Sequence, residues 1–494
     1  MARHGLKITA GVIVAGLLCS PARSQTQLWS TNFGGRLNEM GSASVATADG
    51  GFAVLGSTYS FGSGGMDFYL VKIDSLGDTL WTRTFGGASF EDGYDIQRTA
   101  DGGFVMVGAT ESYGGGGRDI YLVRADSSGR VLWARTYGGG QDDEGMSVRL
   151  TPDGGYVICG TTCSFGSGYN DVYFVRTNAA GDTVWTRTFG GPGGDSGFAV
   201  RVTADGGFIA VGTTGSFGTG YSSVYAIRMD SDGDSLWATT YGGTRADIGY
   251  SLELTSDGGF IFVGASASFG ASYNDAYLVK TDIAGNVTWE YIYGGTYDDR
   301  GYSVCQTADG GYALVGSTLS FGSGKNDVYV VKVDPMGTEI WSRSYGGRES
   351  DFCHAVIEDS GLDLFLVGHS YSYSAGGSDI YMLKIKGSDA TPVYEIDRPG
   401  LPDGFVLAQN YPNPFNPSTT IEFSVPGRSR AFLTIFNVLG QIVRQWQFSS
   451  LSAGTYAVEW DGCNDGGRGV ASGVYFYRLD AGATSQTKKM LLLK

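Results

Sequence analysis

Seven tryptophans, Trp29, Trp81, Trp133, Trp185, Trp237, Trp289 and Trp341, stand 52 residues apart without a slip. A chain built on such a ruler encodes one supersecondary unit many times over, and the copies must bury their faces against one another. The copying extends past tryptophan. Counting forward from each Trp, glycines occupy offsets 5, 6 and 27, an acid offset 10, a tyrosine offset 40 and a Lys or Arg offset 43 in every copy.

Within a copy, four stretches have strand character and three turn signals separate them. In the sixth, residues 301–307 alternate large apolar residues (Tyr302, Val304) with small or polar ones, and Asp309-Gly310-Gly311 supplies a tight hairpin. Residues 312–317 form a continuous apolar run, as Ala53-Val54-Leu55 and Ile261-Phe262-Val263 do in their copies, so both faces of this second strand must be buried. Residues 327–334 make a third strand, and the turn at 334–337 delivers a fourth that carries the Trp. The 81 glycines and the low charged fraction of 17% fit short strands joined by tight turns. The pattern predicts an all-β fold, a seven-bladed β-propeller over residues 25–386, with each Trp wedged between neighbouring blades. Burial of that kind makes loss of one such side chain cost about 3–5 kcal/mol. The chain enters the pattern at Leu28 and Trp29, in a fourth strand, and leaves it near Lys386, after a third. The N-terminal strand should therefore complete the last blade.

The first residues read as an address: Arg3 and Lys7, an apolar run from Ile8 to Cys19, and small residues Ala22 and Ser24 before Gln25. Removing residues 1–24 takes away three basic residues and no acid, so 34 basic residues become 31 against 50 acids. Such a surface repels nucleic acid and anionic membranes. No later segment is long and apolar enough for a transmembrane helix. Cysteines are few for an exported chain, and Cys159 stands where other copies place Leu55, Val107 or Val211, as a small core residue. Cys163 lies about 13 Å further along an extended strand, out of disulfide reach unless the chain bends at Gly160.

Loops before the first strand and after the second should share one face. It carries an unbroken ring of acids, Glu39, Glu91, Asp143, Asp195, Asp247, Asp299 and Asp351. A second ring, Asp67, Asp119, Asp171, Asp275, Asp327 and Asp379, fails only at Ser223. Calcium is one reading, since hard cations take oxygen ligands. The simpler one is that each carboxylate caps N–H groups of its own glycine-rich loop, with no cofactor. Recognition is commonly placed in loops that vary on a rigid scaffold. The candidate ligand contacts are therefore Arg36, Phe90, Gln141, Arg245, Tyr297 and Arg348, at offsets 7 to 9, and Glu111 at offset 30. Blade 7 lacks the Asp-Gly-Gly turn and holds His354 and His369, which should face each other across its first two strands, near Cys353 and Asp351. A cross-strand polar pair explains them more simply than a metal site, which needs three or four converging ligands. No nucleophile-and-base constellation stands out, although two acids suffice for glycosidase or lyase chemistry on polysaccharide.

The run from Asp74 through Gly77 to Trp81 resembles the tryptophan-docking motif of quinoprotein-type propeller repeats, one residue shorter, and kelch-like repeats are similar in length. After Lys386 the pattern stops; Pro392, Pro399 and Pro402 mark a linker at 387–404. Residues 405–494 alternate strands with glycine turns, which predicts a small β-sandwich. They closely resemble the type A C-terminal sorting domain of the type IX secretion system, which is also similar to the immunoglobulin-like domain of flagellar hook-capping proteins. The matching residues are Asn410-Tyr411-Pro412-Asn413-Pro414-Phe415, the run from Ile435 to Gln441 with Gly440, Gly473-Val474-Tyr475, and the basic ending from Lys488 and Lys489 to Lys494. Strand formation calls for neither the opening Pro-Asn-Pro-Phe run nor the basic ending. The resemblance implies export by the Sec and type IX machinery and a secreted or outer-membrane-attached product. On that basis the expected function is a binding or adhesion module for a glycan or protein ligand, the alternative being a polysaccharide-degrading enzyme on the same scaffold.

Overall fold

Each copy folds into a four-stranded antiparallel sheet whose strand order follows chain order. The computed structural model describes residues 27–387 apart from 271, 272 and 323, then 393–396, and 404–493 apart from 428, 452, 461, 463, 465–469, 482 and 483. The leader expected at 1–24 and Lys494 lie outside the described residues. Blade 5 represents the unit: Asp247–Leu254 innermost, then Phe260–Ser266, Asp275–Thr281 and, outermost, Val287–Tyr293. In blade 7 the outer strand is Gln27–Phe33, paired antiparallel with Asp379–Lys386, as the phase of the repeat predicts.

The second strands are buried on both faces because each serves two cores. Phe104 and Met106 pack into the interface with blade 1, whereas Val105 and Val107, pointing the other way, pack into the interface with blade 3. Seven such cores follow one another around the ring, the last joining Phe365 and Val367 of blade 7 to Phe52 and Val54 of blade 1. The fold is a closed seven-bladed β-propeller.

The tryptophans lie between blades but less deeply than their invariance suggests. Trp341 is buried at 6% exposure, and the other six are half-buried at the rim. Trp81 meets Phe104 of the next blade edge-on at 6.3 Å, and Gly129 of the next outer hairpin packs on its ring. A Cβ on Gly129 would stand 2.8 Å from that ring, and its φ of +77° is one that glycine adopts freely. Gly77 packs in the same way on Trp29, which explains the Asp-to-Trp motif. Arg83, Arg135, Arg187 and Arg343 cover the open faces of Trp81, Trp133, Trp185 and Trp341. Half-burial places the loss per tryptophan below that of a fully buried one.

The invariant cation at offset 43 has a structural task. Arg124, its side chain 8% exposed, reaches Asp101 in the hairpin between the first two strands, and Lys332 reaches Asp309 in the same way at 2.9 Å. Asp101 and Asp153 are drawn down to about 2, first by the hydroxyls of Thr99 and Thr151, with Arg124 and Arg176 pulling the same way. At Asp257 partial burial pushes upward, but Lys280 and Thr255 outweigh it and hold the carboxyl at about 2. Depressed carboxyls contribute stability that is present above the unfolded-state pKa and lost as pH falls through the folded one. Burial instead raises Asp67, Asp171 and Asp379, so protonating these three relieves strain on acidification. Two buried histidines of blade 7, His354 and His369, are held at about 3 and about 4, so below about pH 6.5 the unfolded chain takes up protons there that the fold does not. The melting temperature should therefore decline as pH falls from about 6.5 and drop most steeply between about pH 4 and pH 2. Thermal melts across about pH 2–8 check this; a melting temperature that holds or rises between about pH 6.5 and pH 4 would contradict it. In blade 7 the hairpin is Asp359 to Leu362, Leu362 takes φ 62° where the other blades have glycine, and Lys384 pairs with Asp359 at 2.6 Å.

The C-terminal unit is a sandwich of two four-stranded sheets around a core that includes Phe415, Trp460 and Tyr477. Val393–Ile396, within the stretch expected to be linker, form a strand paired with Gly454–Trp460. The Pro-Asn-Pro-Phe run has a place in this fold. Phe415 N–H donates to Leu491 O at 3.0 Å, the Asn413 side chain accepts from Leu491 N–H, and the Phe415 ring packs on Trp460. Pro412 and Pro414 flank this contact, so the opening motif is laced to the last strand, Thr484–Leu492. Lys488 and Lys489 lie on that strand, Gly440 takes φ +75° in the turn after Asn437, and Gly473 begins the preceding strand.

Candidate functional site

One rule joins the loops of every blade on a single face. The residue after each second strand donates its N–H to the loop that precedes the first strand: Tyr59 to Asn38, Glu111 to Phe90, Cys163 to Asp142, and so on to Tyr371 and Ser350. The next residue, a serine, accepts from the same loop, as Ser164 Oγ does from Gln141 N–H and Ser268 Oγ from Arg245 N–H, both at 2.9 Å. Arg36, Phe90, Glu111, Gln141, Arg245, Tyr297 and Arg348 are all exposed on this face. The structure brings Phe90 against Tyr59 and Tyr297 against Tyr273, with ring centroids 6.2 and 6.3 Å apart. Glu111 lies 3.9 Å from Arg118.

The first acid ring is buried and engaged within its own loops. Asp299 accepts from Gly295 N–H at 2.7 Å and from Ser320 Oγ at 2.6 Å; Glu39 does the same with Gly35 N–H and Thr58 Oγ1. In blades 1, 2, 3 and 7 the second ring caps the loop leading to the third strand, as Asp67 does for Ser63 N–H at 2.8 Å. Capping is therefore what these carboxylates do. Among the described residues no group of three or more His, Cys, Asp or Glu side chains converges as a metal ion would require.

The asymmetry lies at the axis. First strands of all seven blades line a central cavity of about 720 Å³. In each, a β-bulge interrupts the register after offset 12, a glycine in six blades and Cys353 in blade 7, as between Gly249 and Ser251 in blade 5. A bulge leaves one residue unpaired and turns neighbouring side chains to the same side. Here residues 13 and 14 of every copy line the cavity. Offset 13 reads Ser42, Tyr94, Met146, Phe198, Tyr250, Tyr302 and His354. From blade 4 to blade 7 these rings form a continuous collar: Phe198–Tyr250 at 5.6 Å, Tyr250–Tyr302 at 5.2 Å and Tyr302–His354 at 5.4 Å. Blade 1 leaves the collar open at Ser42.

Charge is grouped above and below the collar. Towards the loop face, Arg118 binds Glu144 and lies 3.6 Å from Asp92, to which the Tyr94 hydroxyl donates at 3.1 Å. Burial pushes the Glu144 carboxyl above its usual range although Arg118 pulls it down. Burial, then Asp92 and Glu144, push the Tyr94 phenol well above its own. Further in, Asp95 accepts from Arg149 and from Ser147 Oγ, and Arg201 donates to Glu253 at 2.9 Å. A carboxyl raised by burial and held beside an arginine, next to the Asp92 and Tyr94 that line the cavity, is a candidate for proton transfer.

The two histidines meet, with His354 Nε2 and His369 Nδ1 3.1 Å apart and rings stacked at 5.1 Å. The register differs from a direct pair: Phe352 stands opposite His369, and His354 is the bulge residue. Burial lowers them to about 3 and about 4, His369 adding to the effect on His354, so both are neutral at physiological pH. Cys353 Sγ turns towards Ala355 O and Val367 O, and Asp351 caps its own loop through Gly347 and Ser372. The arrangement is a stacked polar pair in the channel wall.

The sequence reading reached the loop face and passed over the channel. Its signal was present as disagreement between copies at offsets 11, 13 and 16, where Asp92, Glu144, Tyr94, Arg149 and Arg201 stand. Period-2 alternation cannot reveal an extra residue in a strand, so the facing of offset 13 was hidden.

Among known proteins, 256 residues of the chain are 24% identical to Regulatory protein FlaEY of Caulobacter vibrioides, covering 47% of this chain and 26% of that protein. The chain thus spans about a quarter of that relative's length. PorZ, a surface component of the type-IX secretion system of Porphyromonas gingivalis, is similar at 14% identity and TM-score 0.43, over 90% of this chain and 58% of that one. The Pan2 WD40 domain of Neurospora crassa is similar at 10% identity and TM-score 0.47, over 74% of this chain and 97% of that one. In the tail, residues 416–486 match the model of the FlgD Ig-like domain.

Proposed function

We propose that this is a propeller displayed outside the cell that binds a glycan or protein ligand at its loop face, around the mouth of the axial channel. The supporting observation is the contrast between a scaffold repeated seven times and a mouth that is not: Arg118 with Asp92 and Glu144 on blades 2 and 3, an aromatic collar on blades 4 to 7, and an opening at Ser42. Symmetric devices hold a repeat protein together, and asymmetric ones recognise. Arg36, Phe90, Glu111, Gln141, Arg245, Tyr297 and Arg348 supply contacts around that mouth. Delivery rests on the leader at 1–24 and on the tail, whose Pro412 to Phe415 run and Lys488, Lys489 and Lys494 resemble a type IX sorting domain. Export then proceeds through Sec and the type IX machinery to release or attachment at the outer membrane.

One observation favours an enzymatic reading: Glu144, raised by burial and held by Arg118, would suit a proton donor in polysaccharide cleavage. Screening the mature protein on glycan and protein arrays, with reducing-end release measured on every bound glycan, tests both. Binding without turnover, weakened by substituting Arg245 and Tyr297, is the expected result. Turnover abolished by Glu144→Gln would replace it with the enzyme, and absence of any bound ligand would remove the proposal.

A further inference from the structure

Offset 36 in the loop between second and third strands reads Gly65, Gly117, Tyr169, Tyr221, Tyr273, Lys325 and Gly377. Three consecutive blades, 3, 4 and 5, therefore carry a tyrosine where the scaffold needs only glycine. Tyr169 and Tyr221 are 82% and 88% exposed, and Tyr273 is 56% exposed beside Tyr297. They differ from the aromatic at offset 32, present in every blade, which leans on the invariant tyrosine of the third strand, as Phe165 does on Tyr173. Rings so exposed add little to stability, since they bury little area.

The backbone beneath them is fixed. Tyr221 N–H donates to Arg245 O, and the following residues bond the next blade: Asp195 N–H to Asn170 O, Asp247 N–H to Ser222 O and Asp299 N–H to Asn274 O, at 2.7 to 3.0 Å. Rigid tyrosines of this kind offer contact area at low entropic cost. On the loop-face loops of blades 3 to 5, every exposed large hydrophobic side chain among the described residues is aromatic. An apolar protein partner would be met by aliphatic side chains as well. A sugar ring asks for something narrower: a flat aromatic face under its C–H bonds, with open, polar edges for its hydroxyls.

From this geometry we infer that Tyr169, Tyr221 and Tyr273, extended by Tyr297, form an arc that binds a neutral polysaccharide chain. The inference rests on the ligand-binding reading of the loop face and names its ligand class. Neighbouring blades pack about 10 Å apart, roughly the length of two sugars in an extended chain, so successive tyrosines meet every second residue of a polymer. Neutrality follows from charge: at −16 the chain repels uronate or sulfated polymers at long range. Arg245, exposed between blades 4 and 5, is available to the hydroxyls.

Affinity electrophoresis of the mature full chain in gels containing β-glucan, soluble starch, galactomannan or polygalacturonate tests it. At least one neutral polymer should retard the protein and polygalacturonate should not. The variant Tyr169→Ala/Tyr221→Ala/Tyr273→Ala should lose about tenfold or more in affinity with an unchanged melting temperature, while the corresponding triple Phe variant should retain it. No retardation by any neutral polymer overturns the inference. Retardation untouched by the Ala variant but lost with Glu144→Gln also overturns it while leaving ligand binding at the channel mouth intact. Retardation by polygalacturonate alone refutes the neutral class.

Discussion

Replacing Gly264 by alanine should destabilise the propeller by about 3 kcal/mol or more, the upper range for forcing atoms into a packed site. A Cβ at this position would lie 1.8 Å from the carbonyl oxygen of Ile248 and 2.8 Å from its carbon, both backbone atoms that no rotamer change can move. The Ile248 carbonyl stands there because the strand bulges after Gly249, and relieving the clash means undoing the bulge. That would withdraw Tyr250 from the collar, so ligand binding should weaken together with stability. The invariance of offset 27 follows directly, since Gly56, Gly108, Gly160, Gly212, Gly316 and Gly368 face the same contact at 1.8 to 1.9 Å. Gly140→Ala is the control: nothing lies within 4 Å of its Cβ position, and the change should stay within about 0.5 kcal/mol. Thermal and urea melts of both variants decide it. Equal stability of the two would show that the bulge is soft.

Deleting Gln27–Phe33 should do more damage than any single substitution, on the order of 5 kcal/mol or greater, because it removes two interblade aromatics and a strand together. Trp29 would leave the face of Gly77 and the ring of Phe365, 5.7 Å away, and Phe33 would leave the core between blades 7 and 1. Asp379–Lys386 would become an open edge with Met382 and Leu383 beneath it, a surface prone to pairing with other chains. The shortened protein should aggregate or melt far lower. Grafting residues 27–33 after Lys386 through a short hairpin should restore the melt, since the strand then reaches the same partners from the other end. A truncated protein that melts like the full chain would mean that closure is dispensable.

Much of the architecture was legible because repetition removes ambiguity. The alternation at Tyr302 and Val304, the Asp-Gly-Gly turn and the doubly apolar second strand recur until chance is excluded, and the phase at Trp29 and Lys386 gives closure. Pairings across the repeat were less legible. Asp101 and Arg124 were both visible as near-invariant, but their contact needed the hairpin folded back on the third strand. The candidate site is half legible: the loop positions of Arg245 and Tyr297 make them exposed, as they are, while the facing of Tyr94 and Arg149 depends on a bulge that the sequence pattern does not reveal. Likewise the run from Pro412 to Phe415 carried no structural reason until the last strand lay beside it.

The sequence by itself determined the unit, its number, its strands and the order in which they close, since local periodicity and turn chemistry act within a few residues and are written seven times. Tertiary structure alone decided which variable residues meet. The collar from Phe198 to His354 and the tyrosine arc from Tyr169 to Tyr273 assemble from positions 52 residues apart, and only ring closure with a common bulge brings them to one axis and one face.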